Sequence, residues 1–338
     1  MAGKRPSPSH PSGAALLGDI GGTHARFAVL ANGRISKVTT LEVAGYSGPY
    51  PAMEAFLGRH AAGRKIDQAC LAIAGWIEGG RATLTNGNWT LDTAEMCRSF
   101  KFKSATLVND FEAISWSLPH LRPADLHYLG SPKKFSERAP MAAMGPGTGL
   151  GVGYVIPEGK SWRAVASEGG HATLAAGTDR EAEVIAWLRE RHGHVSGERA
   201  LSGDGLINLY EAIAALDGRD VPPLSAAEIA DAALSRRNPT AKAALEMFCA
   251  FLGVVAGNLA LIVGARGGVY VSGGIVPRFP DFVAKSQFRR RFEGKGRLSH
   301  YLEVIPAAVI LHPNPAMVGL AALLGPARQR HLARSTLI

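Results

Sequence analysis

The residues best suited to chemistry stand at glycine turns. Gly18-Asp19-Ile20-Gly21-Gly22-Thr23 follows the apolar run 14–17, and 26–30 then reads as a second strand ended by Ala31-Asn32-Gly33. This is a β-hairpin whose tight loop carries a carboxylate and a hydroxyl. Paired glycines permit positive φ and leave backbone N–H groups uncovered, so an anion can approach closely. Asp19 could serve a hydrated divalent cation from the strand end, and Thr23 adds a hydroxyl donor. Taken alone, the stretch is equally well an ordinary hairpin turn. Its repetition shifts the balance. Gly145-Pro146-Gly147-Thr148-Gly149-Leu150-Gly151 also lies between a short apolar run (141–144) and an extended one (154–156), and its Gly147-Thr148 echoes Gly22-Thr23. Ser272-Gly273-Gly274 ends a third run, 268–271. A dinucleotide fingerprint is excluded, because 150, 152 and 154 are Leu, Val and Tyr, and a Walker A loop is excluded because no Lys follows the last glycine. Three such turns imply a duplicated α/β core with a nucleotide between its halves.

Away from the turns, the reactive groups are carboxylates and a histidine. Asn109-Asp110 stands at the carboxyl end of the strand 104–108, where ligands of open α/β sheets gather. A carboxylate there suits proton removal from an attacking hydroxyl. Capping the next helix is its structural role, and on these residues alone the cap is the better reading. Glu168-Gly169-Gly170-His171 sets two functional side chains around two glycines. Judged singly, His171 reads as a core histidine and Glu198 as a helix surface charge.

The elements that must position these groups alternate. Beyond the first hairpin, a third strand is expected over 35–43, then a helix over 51–62 with Met53, Phe56 and Leu57 on one face. A strand over 67–74, a turn at Asn86-Gly87 leading to Trp89, a helix over 92–100 and the strand 104–108 follow. Such alternation indicates α/β layers. Pro, Lys and Arg accumulate between 118 and 140, where the chain crosses into a second lobe. There, 178–181 reads as a capping box opening a helix with Val184, Trp187 and Leu188 inward and Gly193 past its end. Helices are expected over 205–216 and 226–234, a late strand over 301–311 and a closing helix over 316–330.

Composition narrows the class. The chain has 338 residues, enough for two lobes, and 46% apolar with 19% charged residues exclude disorder along its whole length. Cys70, Cys97 and Cys249 are widely spaced, which argues against a disulfide framework or a cysteine zinc site and fits a reducing cytoplasm. Residues 1–14 form a basic, Pro- and Ser-rich tail, read as disordered and as neither signal peptide nor membrane anchor. The net charge of +9 favours anionic ligands by long-range steering. Part of it is the cluster Arg289-Arg290-Arg291, Lys295 and Arg297, read as a solvated helix face rather than a nucleic-acid surface. The stretch 247–265 approaches membrane-spanning length, but three glycines, Asn258 and the strand after it fit a buried helix better.

The motifs together resemble the bacterial glucokinases, the ATP-dependent branch of the actin-like sugar kinases. The resemblance rests on Gly18 to Thr23, Val108-Asn-Asp-Phe111, Gly145 to Gly151, Glu168-Gly-Gly-His171, Gly193 to Arg199, Leu201 to Tyr210 and Ser272-Gly-Gly-Ile275, in order over about 15–324. It implies an α/β, two-lobed actin-like ATPase (ribonuclease H-like) fold with a duplicated mixed-sheet core. The small lobe would be 15–120 plus 313–338, the large lobe 121–312, and the closing helix would return to the small lobe. The implied reaction is phosphorylation of glucose by MgATP to glucose 6-phosphate and ADP, with the lobes closing on the sugar. Asp110 would be the general base, and Asn109, Asp110, Glu168, His171 and Glu198 would hold glucose. The nucleotide would lie on Gly18, Asp19, Ile20, Gly21, Gly22 and Thr23, on Gly147, Thr148 and Gly149, and on Gly273 and Gly274. Asp19 would reach Mg²⁺ from the outer shell. A cytoplasmic homodimer is expected, with no nucleic-acid or membrane partner. Two positions depart from the pattern. His24 stands where the family has Asn, and Trp76 where it has Pro, so the loop after Gly75 is expected to be shaped differently. A kinase for another hexose would share these turns; a sugar-sensing regulator would need a DNA-binding helix-turn-helix, and a glycosidase would have no use for three phosphate turns.

Overall fold

The structure, a computed structural model, describes residues 13–325 apart from 62, 86 and 131–137. Residues 1–12 of the basic tail, Asn86 of the expected turn, part of the 118–140 crossing and 326–330 of the expected closing helix lie outside the described residues, while Ala14, expected in the tail, opens the first strand and the closing helix stops at Leu323. The chain divides into two compact units, 1–121 with 158–164 and 313–338, and 122–157 with 165–312.

The first unit runs β1 (Ala14–Ile20), β2 (His24–Ala31), β3 (Arg34–Ile35), β4 (Thr39–Glu42), α1 (Pro49–His60), β5 (Ile66–Ile73), β6 (Gly75–Glu78), β7 (Arg81–Leu84), β8 (Thr90–Asp92), α2 (Thr93–Phe100), β9 (Ser104–Asn109) and α3 (Asp110–Ser117). Its main sheet has the order β3-β2-β1-β5-β9, with β4 also on β2. β1 is antiparallel to β2 and parallel to β5, and β5 is parallel to β9. Leu16, Ile20, Phe27, Phe56, Leu71 and Ile73 fill the core beneath α1. Two expectations are corrected here. The strand over 35–43 is broken into β3 and β4, because the Ser36 hydroxyl accepts from Val29 N–H and draws the chain out of the ladder. Beyond Gly75 the chain forms a small sheet, β6-β7-β8, on which Trp76 is 71% exposed.

The chain then runs β10 (Leu126–Tyr128), β11 (Met141–Pro146), β12 (Leu150–Glu158), β13 (Ser161–Ser167), α4 (Asp179–His192), α5 (Gly203–Leu216), α6 (Ala226–Leu234), α7 (Pro239–Val263), β14 (Gly268–Val271), α8 (Pro280–Lys285), α9 (Phe288–Glu293), α10 (Ser299–Glu303) and β15 (Ala307–Ile310) in the second unit, except that 158–164, the first half of β13 included, and α11 (Pro315–Leu323) are counted with the first. The sheet order is β10-β15-β14-β11-β12-β13. β11 is antiparallel to β12 and parallel to β14, which is parallel to β15. The sequence antiparallel, parallel, parallel therefore occurs once in each unit, which is the duplicated mixed-sheet core.

Three further corrections come from this unit. The strand expected over 301–311 is confined to β15, since 299–303 is helical. The box at 178–181 is half made. Thr178 caps Glu181 N–H, but the Glu181 carboxylate accepts from Gly177 N–H and pairs with Arg291. The basic cluster is only in part a solvated face: Arg290 and Arg297 are exposed, but the other three are engaged in the fold. Arg289 donates to the carbonyls of Leu302, Glu303 and Ile305, Arg291 is buried on Glu181, and Lys295 donates to Val254 O and to Asn258 Oδ1 at 2.6 Å. That last bond also accounts for Asn258 in the apolar helix α7. By length and composition α7 is able to cross a membrane, yet 61% of its most apolar window is buried, and Phe248, Phe251 and Leu252 belong to the unit's core.

Candidate active site

The site residues of the first unit lie at the carboxyl ends of β1 and β9. The strand β1 runs to Ile20, so Gly18 and Asp19 are ladder residues and the turn is Gly21-Gly22-Thr23, closed by Gly21 N–H on His24 O at 3.0 Å. Gly18 is glycine for packing. A Cβ there would lie 2.5 Å from Leu71 Cδ2 and 3.1 Å from the Phe27 ring. Neither Gly21 nor Gly22 takes a left-handed φ, so the turn does not use the conformational freedom expected of it. A Cβ on Gly21 would meet nothing closer than His24 O at 3.7 Å, so there is open space beside the turn, although the Gly21 N–H itself is engaged by His24 O.

Asp19 faces Arg26 directly across the ladder, with Arg26 Nη1 3.3 Å from its carboxylate. Burial raises the Asp19 carboxyl above the ordinary carboxylate range, and the Arg26 guanidinium pulls against that rise. The sequence reading missed Arg26. Hairpin register carries the signal, because position 26 is the cross-strand partner of 19. His24 opens β2 with an exposed side chain.

At the end of β9, the cap falls to Asn109 rather than Asp110. Asn109 Oδ1 accepts from Phe111 N–H at 2.9 Å and Glu112 N–H at 3.3 Å. Asp110 is the first residue of α3, and its Oδ1 accepts from Phe111 N–H at 2.9 Å. A carboxylate there is favoured by the amino-terminal end of the helix dipole. The helix itself is clamped by α11, for a Cβ on Gly319 would lie 1.7 Å from Ala113 O.

In the second unit, Gly147-Thr148-Gly149 joins β11 to β12 and is closed by Gly147 N–H on Gly149 O at 2.8 Å. Gly147 has open space where a Cβ would be. Gly273, at φ +92°, packs against this turn, its Cβ position 2.3 Å from Pro146 O, while Gly274 is open. The second and third glycine turns are therefore neighbours at the carboxyl ends of two parallel strands. The amino-terminal end of α5 joins them, Gly203 N–H donating to Gly147 O at 2.9 Å.

Glu168, His171 and Glu198 are brought together beside that turn. Two single 3₁₀ turns, Gly169–His171 and Gly197–Arg199, carry them, tied by Gly197 N–H on Ala172 O at 2.9 Å. His171 Nε2 lies 3.9 Å from Glu168 and its Nδ1 4.0 Å from Glu198 Oε1. Gly170 lets the first turn sit on β12, since a Cβ there would be 2.0 Å from Leu150 O. Glu198 Oε2 accepts from Leu150 N–H at 2.8 Å, and a Cβ on Gly149 would be only 2.4 Å from that oxygen. Gly149 is thus glycine for the carboxylate beside it. The Leu150 donor was invisible from sequence, being a backbone group 48 positions from its acceptor. The exposed Glu168 and His171 side chains remain open to a polyhydroxyl ligand, whose groups both donate and accept.

Among the described residues no group of three or more His, Cys, Asp or Glu side chains could hold a metal ion. A lone carboxylate such as Asp19 fits a Mg²⁺ that arrives on nucleotide phosphates, not a resident cation.

A glucokinase family profile matches residues 16–327. The chain is 45% identical to the glucokinase of Paramagnetospirillum magneticum over 311 residues, 91% of this chain and 97% of that one. It is 42% identical to the glucokinase of Nitrobacter hamburgensis, covering 91% and 96%. Its structure is similar to that of glucokinase from an Antarctic psychrotroph, with a TM-score of 0.85 and 36% identity over 92% and 98% of the two chains.

Proposed function

The chain belongs to the glucokinase family and is an ATP-dependent hexose kinase, and from that premise we propose how its residues divide the phosphorylation of glucose. Phosphoryl transfer needs positioning and charge stabilisation more than covalent chemistry. Asp110 takes the proton of the sugar 6-hydroxyl as that oxygen attacks, help worth about 10²–10⁴-fold in rate. Asn109 holds α3 in place through its cap and contacts the sugar. Glu168, His171 and Glu198 hold the remaining hydroxyls, each carboxylate accepting from the sugar and His171 donating or accepting. Thr148 and the Gly149 amide receive the transferred phosphate, and Gly147, whose N–H closes the turn on Gly149 O, lines their approach. The segment from Gly18 to Thr23 holds the rest of the polyphosphate, and Gly273 and Gly274 lie along the nucleoside. Asp19 is the residue that would serve, through water, a Mg²⁺ carried by ATP, and that ion would supply neutralisation of phosphate charge.

One observation carries this reading most. The cluster of Glu168, His171 and Glu198 sits on the first residue after the Gly147-Thr148-Gly149 turn, so groups suited to hydroxyls adjoin amides suited to phosphate. Cys70 and Cys249 are buried and in no disulfide, which supports a reducing cytoplasm as its compartment. A homodimer is the assembly proposed, which light scattering tests. The decisive assay couples ADP release to glucose consumption and compares kcat/KM for glucose, mannose, fructose and N-acetylglucosamine. Glucose should be preferred; a clear preference for any other sugar overturns the assignment.

A further inference from the structure

We propose that Glu198 is a shared strut. One of its carboxylate oxygens holds the sugar while the other sets the shape of the Gly147-Thr148-Gly149 turn, so glucose and nucleotide affinities are coupled through one side chain. The proposal rests on the reading above, that sugar and phosphate occupy these two places. Its geometry is independent of that reading. Oε2 accepts from Leu150 N–H at 2.8 Å, and Leu150 is the residue that closes the hairpin opposite Pro146. Oε1 faces the other way, 4.0 Å from His171 Nδ1. A Cβ at Gly149 would lie 2.4 Å from Oε2, so any side chain there would push the carboxylate aside.

The strut is braced at both ends. Ser202 Oγ donates to Glu198 O at 2.9 Å and caps α5 through Gly205 N–H, and the next residue, Gly203, donates to Gly147 O. Glu198 and the turn are therefore fixed to the same helix end, so a shift in one is felt by the other. Hydrogen bonds to an ionised group are short and roughly twice as strong as neutral ones. The Glu198 side chain is still 31% exposed. A sugar hydroxyl on Oε1 would order the carboxylate and with it Leu150 N–H, presenting the turn to phosphate in one arrangement. Linkage then requires the reciprocal effect: nucleotide on the turn tightens the sugar by the same factor.

The test is calorimetric titration of the full chain with glucose, with and without a magnesium complex of a non-hydrolysable ATP analogue. Wild type should bind glucose about fivefold or more tightly when the analogue is present, within the usual range of coupling. Glu198→Ala should remove that coupling and weaken the analogue as well as glucose. Glu198→Gln keeps a carbonyl that can accept from Leu150, so analogue affinity should stay within about twofold of wild type while glucose weakens about tenfold or more. Gly149→Ala should weaken glucose, although it deletes no sugar contact. Analogue affinity unchanged in Glu198→Ala, or Gly149→Ala weakening the analogue alone, overturns the strut. Wild type that binds the analogue but no glucose overturns instead the function on which it rests.

Discussion

The β1–β2 hairpin of the first unit and the β11–β12 hairpin of the second occupy the same place in the same strand pattern, yet they are furnished differently. One pair before the last rung, the first has Asp19 opposite Arg26, and the second has Gly145 opposite Gly151. The first hairpin brings its own acid, already matched to a cation. The second brings none and borrows Glu198 from a distant turn, at Leu150 N–H. Its bare glycine pair also leaves room for the third turn, since a Cβ on Gly273 would lie 3.0 Å from Gly145 C and 2.3 Å from Pro146 O. A duplicated frame thus supports two solutions: chemistry written into the hairpin, and chemistry docked onto it. The first unit also holds Asp110, which opens α3 just past a strand end, whereas Glu168 and Glu198 of the second hang on short turns with glycine neighbours.

The largest expected effect tests that division. Asp110→Ala should lower kcat by about 10²–10⁴-fold while glucose still binds, because a general base acts chiefly in the transition state. His171→Ala in the second unit should do the reverse, raising the glucose Kd more than it lowers kcat. Near-normal kcat in Asp110→Ala would erase the contrast between a reacting unit and a holding one.

Next come the supports. Arg291 and Glu181 form a buried pair, their side chains 12% and 6% exposed, in the second unit. Arg291→Met should destabilise by about 3–5 kcal/mol, since it strands a buried carboxylate, and Glu181→Leu in the same chain should recover most of the loss. Denaturant unfolding measures both; equal stability of the single and wild-type chains would return Arg291 to a solvent-facing role. In the first unit Gly319→Ala should cost about 1–3 kcal/mol by overpacking α11 against Ala113 O, with kcat falling as α3 moves. Unchanged melting would mean that the clamp on Asp110's helix is loose.

What could be read beforehand follows the same line between local and borrowed structure. The α6 helix at 226–234 and the strand ahead of Asp110 lie where periodicity puts them, and the glycine turns stand at strand ends as expected, though the first is shorter than it reads because Gly18 and Asp19 belong to β1. The cap of α3 was assigned one residue late, because Asn and Asp are both good caps and stand side by side there. Contacts across long separations left no trace in periodicity. Arg291 reaches Glu181 over 110 positions, so a run of arginines that reads as a solvated face is mostly consumed inside the fold. Glycine was the most misleading residue. At 18, 149 and 170 it reports a close neighbour, a ring, a carboxylate and a carbonyl, where sequence suggested only a bare phosphate-binding amide or gave no reason at all.

The smallest effect sharpens the hairpin comparison most directly. Burial holds the Asp19 carboxyl above its ordinary value, so the folded chain keeps that proton more readily than the unfolded one. The stability this group contributes is then full below the ordinary carboxylate pKa and is lost as pH rises through the raised folded value. At neutral pH the charged group is a net burden, relieved in part by Arg26, whose side chain is 39% exposed and whose pairing is worth under about 1 kcal/mol. Asp19→Asn should therefore leave Tm at pH 7 unchanged or slightly raised and flatten its rise toward acid pH, while the KM for MgATP increases. No such term can arise at Gly145 and Gly151, which carry nothing to titrate. If Asp19→Asn instead lowers Tm at pH 7 and keeps the wild-type pH profile, the Asp19–Arg26 pair is a structural rung. The first hairpin would then resemble the second, depending on groups outside itself for its chemistry.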